Sequence, residues 1–237
     1  MPVTSPKIAN LLKNSGLPGP RANLSLLHSF AKAASEQEIE QCLAYVHGDL
    51  THCPEEFVGM CGVVGYCILH RDDLDGVLKF ARKFASHPSW RLRESVAIGL
   101  QNVALAEVSR MVDALEPWAT GNAFEQRAVV AALCEPKRLT DQAIAWRVLT
   151  LLASMVRLFE GISTKLTPGQ DSLKKALGYG LSVAIVADPP RGMAMFEQFA
   201  KQSNKHVLWI VRENLKKSRL ARMDPDWVTR MAALQTP

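Results

Sequence analysis

Apolar residues recur three and four positions apart along nearly the whole chain, the spacing that lines one face of an α-helix. Ile8, Leu11 and Leu12 follow Ser5-Pro6, a cap and a first-turn proline. Gly16 to Pro20 breaks the pattern, which returns at Leu24, Leu27, Phe30 and Ala31. Ser35 and Glu38 form a capping box ahead of Ile39, Cys42, Leu43 and Val46. An apolar helix is predicted from Pro54 through Leu69. Asp72 or Asp73 caps another, with Leu74, Val77, Leu78, Ala81 and Phe84 on one face. Pro88 starts the next, which runs past Val103, and Val108, Met111, Val112 and Leu115 mark its partner.

Beyond the turn at Thr120-Gly121-Asn122 a short helix is expected to end near Pro136. Thr140 or Asp141 opens a longer one with Ile144, Val148, Leu152, Met155 and Phe159. Thr167-Pro168-Gly169 reads as a break before a helix from Asp171 to Ala187, and Asp188 to Gly192 as a sharp loop. Two basic helices follow, with a last short one from an Asp226 cap to Leu234. Strands would show as stretches of alternating polarity between turn residues, and these are absent. The chain is expected to be all-α.

Repetition refines that expectation. Trp90-Arg91-Leu92-Arg93-Glu94 returns as Trp209-Ile210-Val211-Arg212-Glu213, and Phe124-Glu125-Gln126-Arg127 repeats the aromatic-x-x-Arg part. Ser95-Val96-Ala97-Ile98 returns as Ser182-Val183-Ala184-Ile185, which aligns Leu177 with Trp90. The repeated starts at 90, 124, 177 and 209 are 34, 53 and 32 residues apart. Two of these intervals suit a helix-pair repeat. The expected architecture is therefore an α-α superhelix of antiparallel helix pairs forming one domain over 1–237. Residues 1–53 would supply amino-terminal capping helices and 54–237 the repeats.

These motifs, with Val-Leu-Trp-Ile-Val-Arg-Glu-Asn-Leu-Lys-Lys at 207–217, resemble bacterial HEAT-like (armadillo-like) repeat proteins. They are most similar to the DNA alkylation repair superfamily, and the resemblance is clearest from Pro88 to Ala233. It implies a curved superhelix with a basic concave face that meets DNA. The glycosylases of that family use a catalytic aspartate flanked by tryptophans, and no tryptophan pair followed within a turn by aspartate occurs here. Glu94 beside Trp90 is the nearest carboxylate, and no catalytic residue is assigned.

Charge sharpens the binding reading. The chain carries a net +5, but Lys201 to Arg222 holds seven lysines and arginines against Glu213 alone, so the remainder is slightly acidic. Within that patch Lys205, Trp209, Arg212, Lys216 and Arg219 would fall within an arc of about 80° on one continuous helix. Cations with an aromatic among them suit a phosphate backbone. An acidic protein partner fits the same stripe, as does a merely solvated face. Arg93, Arg127 and Arg212, with Trp90, occupy equivalent repeat positions and would form a ladder contacting phosphates. Pairing of Arg93 with Glu94 or Glu125 is the structural alternative.

Other chemistry finds little support. Five cysteines, without C-x-x-C, sit mostly in apolar helical stretches and read as small buried hydrophobes of a reducing, cytoplasmic compartment. A metal site would need His52, Cys53, Cys67 and His70 to converge at a spacing unlike common zinc patterns, so no metal or cofactor is expected. Gly59, Gly62 and Gly65, like Gly178 and Gly180, suggest close helix approach rather than a phosphate loop, since no Lys-Ser/Thr follows. No apolar run reaches the ~20 residues of a membrane span, and the amino terminus lacks a signal-peptide pattern.

Overall fold

A computed structural model describes residues 5–48, 50–103 and 108–235. Among them the chain is all-helical, with fourteen α-helices and no strand. It divides into two compact units, Met1–Leu105 and Ala106–Pro237.

The first unit contains α1 (Pro6–Lys13), α2 (Leu24–Ala33), α3 (Glu36–Leu43), α4 (Pro54–Leu69), α5 (Leu74–Ala85) and α6 (Trp90–Val103). α4 is its centre and packs on all five others. A helix so placed has no solvent face to spare, which is why its sequence is apolar all round instead of amphipathic. Its glycines set how closely the neighbours come. A Cβ on Gly62 would lie 2.9 Å from the Leu43 backbone nitrogen, one on Gly65 3.0 Å from Ile39, and one on Gly59 3.0 Å from Val46. α3 can therefore lie directly on the α4 backbone.

The second unit contains α7 (Val108–Ala119), α8 (Ala123–Leu133), α9 (Gln142–Arg157), α10 (Pro168–Ala187), α11 (Pro189–Ala200), α12 (Lys205–Leu215), α13 (Ser218–Met223) and α14 (Pro225–Ala233). α8, α10 and α12 pack side by side in one row, and α7, α9 and α11 in another. Consecutive members pair across the rows: α7 with α8, α9 with α10, α11 with α12. α10, in the middle, is again glycine-bearing. A Cβ on Gly180 would meet Val130 of α8 at 2.6 Å, and one on Gly178 would meet Trp209 of α12 at 3.0 Å.

Capping follows the sequence closely. Ser5, Asp73 and Asp141 each accept from a backbone N–H three residues on, and Ser35 with Glu38 closes the capping box. Three expectations need correction. α10 starts at Pro168, with Thr167 as cap and Gln170 completing a box, because a first-turn proline sacrifices no hydrogen bond. Asp188 to Gly192 is no loop: Pro189 and Pro190 open α11, leaving Asp188 as a one-residue joint. The last helix is capped by Asp224, which accepts from Trp227, not by Asp226.

Candidate functional site

The fourth correction reshapes the basic stripe. α12 ends at Leu215 and a new helix, α13, begins at Ser218, so Lys205 through Arg219 do not share one helix. Leu220 explains the break. On a continued helix it would point about 60° from Lys205, at the edge of the charged arc. The turn at Lys216-Lys217 rotates it inward, where it is fully buried.

Lys205, Arg212 and Lys216 remain exposed along α12 and its cap. Lys216 pairs with Glu213 at 2.5 Å, whereas Arg212 has no carboxylate partner among the described residues. Arg219 leaves the set. Its Nη1 is shut off from water, and its charge is felt at the buried Cys134 thiol, where it opposes the effect of burial. Trp209 is half-buried, its ring edge on Gly178 and the Lys174 ammonium 4.6 Å from its centroid. It is a packing residue dressed by a cation, with one face already occupied.

The remaining candidates are engaged locally. All four matched starts fall on the second helix of a consecutive pair, but at different depths: Trp90 opens α6, whereas Leu177 lies mid-way along α10. Arg93 donates from Nη1 to the carbonyls of His87 (2.5 Å) and Pro88 (2.7 Å), tying down the loop before α6. Arg127 is half-buried on α8 and Glu94 half-buried on α6, and both take part in interactions. Trp90 is 52% exposed, with the Arg91 guanidinium 4.6 Å from its ring.

Arg91 belongs to a group the sequence did not suggest. It is buried and pairs at 3.1 Å with Glu56, also buried, which further accepts from the Ser89 hydroxyl (2.5 Å) and the His52 N–H (3.2 Å). With its oxygens so committed, Glu56 holds the starts of α4 and α6 together and is not presented to a substrate.

A second unforeseen feature lies beside the basic helix. The segment 163–168, the start of α10 and the start of α12 enclose an open cavity of about 690 Å³. Lys165, Lys174 and Lys205 line it against one carboxylate, Asp171, which already pairs with Lys175 at 2.7 Å and Lys174 at 3.5 Å. Ser163, Thr164 and Thr167 add hydroxyls. His206 also borders it, only 8% exposed, and its Nε2 has no hydrogen-bond partner. Burial lowers the pKa of this imidazole below the ordinary value, the ammonium of Lys174 adds to that, and a hydrogen bond to the Thr164 backbone opposes it. The sequence signal was present as hydroxyls and a lysine ahead of a capped helix, but 163–174 and 205–206 meet only in the fold.

Burial pushes the thiols of Cys42, Cys67 and Cys134 up to about 12 and that of Cys61 upward as well, so none is a thiolate nucleophile near neutrality. The quartet His52, Cys53, Cys67 and His70 does not converge. Cys53 caps the start of α4 and His70 its end, about 25 Å apart along the axis. No helix among the described residues is long and apolar enough to cross a membrane. Compared with protein-family models, with curated proteins and with solved structures, the chain has no match.

Proposed function

We propose that this chain is a HEAT-like helical-repeat binding module, akin to the DNA alkylation repair superfamily, whose carboxy-terminal basic edge contacts a nucleic-acid backbone. The observation that carries the reading is the run of exposed cations on α12, Lys205, Arg212 and Lys216, continuing into the lysine-lined cavity at its start. Side-by-side packing of α8, α10 and α12 over α7, α9 and α11 supports the repeat architecture, because a row of sandwiched apolar helices is how helix-pair arrays bury their core. Backbone contact requires only accessible positive charge, and its affinity comes largely from released counterions. Catalysis forms no part of the reading, since the carboxylates beside tryptophans are already engaged.

Fluorescence anisotropy with duplex DNA across a salt series tests it. Weak, sequence-independent binding that falls steeply with salt is expected. Alanine at Lys205, Arg212 and Lys216 together should shallow the log–log slope by about one unit per lost contact. Arg219→Ala should leave the slope unaltered and lower stability instead. No binding at low salt, or an unaltered slope in the triple variant, would transfer the surface to an acidic protein partner.

A further inference from the structure

We propose that the cavity between segment 163–168, α10 and α12 is a binding site for a phosphate monoester group. It would take a free phosphorylated small molecule or the phosphorylated end of a nucleic-acid strand. The assignment shares Lys205 with the α12 edge but differs from backbone binding, because it concerns an open recess and a terminal, doubly charged group.

Three features favour this ligand class. First, Lys165, Lys174 and Lys205 line one volume from three different segments, with a single carboxylate among them. Cations gathered this way repel one another, and an entering anion relieves that repulsion while accepting charge-assisted hydrogen bonds. Lys205 reaches only the Ser163 carbonyl, at 3.4 Å, and Lys165 has no ion-pair partner among the described residues, so neither must break a strong bond to bind. Second, Ser163, Thr164 and Thr167 bring hydroxyls to the same lining, and each can donate to a phosphate oxygen. Third, α10 and α12 both begin at the cavity, directing the positive ends of two helix dipoles toward it. Their capping side chains satisfy the first N–H groups, so the helices contribute field while the lysines and hydroxyls make the contacts.

Competition for one site separates the two sources of the group. Inorganic phosphate, titrated calorimetrically into the full chain, is expected to bind with millimolar affinity. Lys165→Ala and Lys205→Ala should each weaken it about tenfold, as loss of a charge-assisted contact does. Lys216→Ala, exposed on the same helix but outside the cavity, should weaken it by less than twofold. A short single strand with a 5′-phosphate that displaces inorganic phosphate, where the 5′-hydroxyl strand does not, identifies a strand end as the source. Failure of both strands to compete, with phosphate still bound, identifies a free phosphorylated molecule. The assignment is overturned if phosphate does not bind, or if Lys165→Ala and Lys205→Ala have no more effect than Lys216→Ala. It is also overturned if the two strands compete equally, since a diester then fills the cavity. None of these results depends on the salt slope of duplex DNA, so the two proposals fail separately.

Discussion

At the residue scale, the charges that matter most to stability are the ones local spacing does not reveal. Trp90-x-x-Arg-Glu draws attention to Arg93 and Glu94, yet the buried pair is Arg91 with Glu56, 35 residues earlier. No periodicity links positions on two helices that first meet when α4 and α6 pack. Because Glu56 neutralises a guanidinium that is only 1% exposed, Glu56→Ala would leave that charge buried alone. The expected loss is about 3–5 kcal/mol in urea-induced unfolding. Glu56→Gln keeps hydrogen-bonding oxygen at the site and should lose less. A cost below ~1 kcal/mol for the alanine variant would mean that water reaches Arg91 and the pair is not sealed.

At the element scale, much was legible because the forces are local. A capping oxygen lies three residues from the N–H it binds, so Ser5 and Ser35 could be read directly and Asp73 and Asp141 to within one residue. Pro189-Pro190 misled because two prolines suit a loop and a first helical turn equally well. The break after Leu215 was illegible, since Lys216-Lys217-Ser218 contains no glycine or proline, and burial of Leu220 decides it. The glycines of α4 were correctly read as contact positions, and they carry a sharp expectation. Gly62→Ala gains about 1 kcal/mol of helix propensity but drives a methyl to 2.9 Å from backbone and 3.0 Å from the Cys42 Cβ. Overpacking of that kind costs about 1–3 kcal/mol, and backbone cannot swing aside as a side chain does. A lowered melting temperature is therefore expected. A raised one would show that α3 can lift from α4 at little cost.

At the scale of the whole molecule, the candidate site was half visible: the basic patch stood out in the charge count, but the cavity needs segments 163–174 and 205–206 together. The same fold imposes a pH dependence. His206 and His87 both have pKa values lowered below 6.5, by burial first and then by neighbouring cations. Just below 6.5 the unfolded chain thus binds more protons than the folded one, so stability rises with pH there and is lost as pH falls. Glu38 and Asp171, held below their ordinary 4.5 and 3.8 chiefly by hydrogen bonds from lysines, withdraw their contributions only in more acid solution. Denaturant midpoints between pH 7 and 5 should therefore decline, and His206→Gln should flatten that decline. An identical decline in the variant would place the acid sensitivity elsewhere.

Asn214 of α12 is fully buried, accepts from the Ser182 N–H of α10 at 2.8 Å and donates to the Leu177 carbonyl of α10 at 2.9 Å. A helix ordinarily closes its own ladder, so that it can outlast the departure of a neighbour. Here the Asn214 amide adds two cross-helix bonds to the middle of α10. If α12 peels away, both bonds break together and a buried amide is left without its partners on α10, so the opening is felt at the middle of that helix. The two helices are thereby bound into one cooperative unit, which opens as a block where surface pairing alone would let its edge fray.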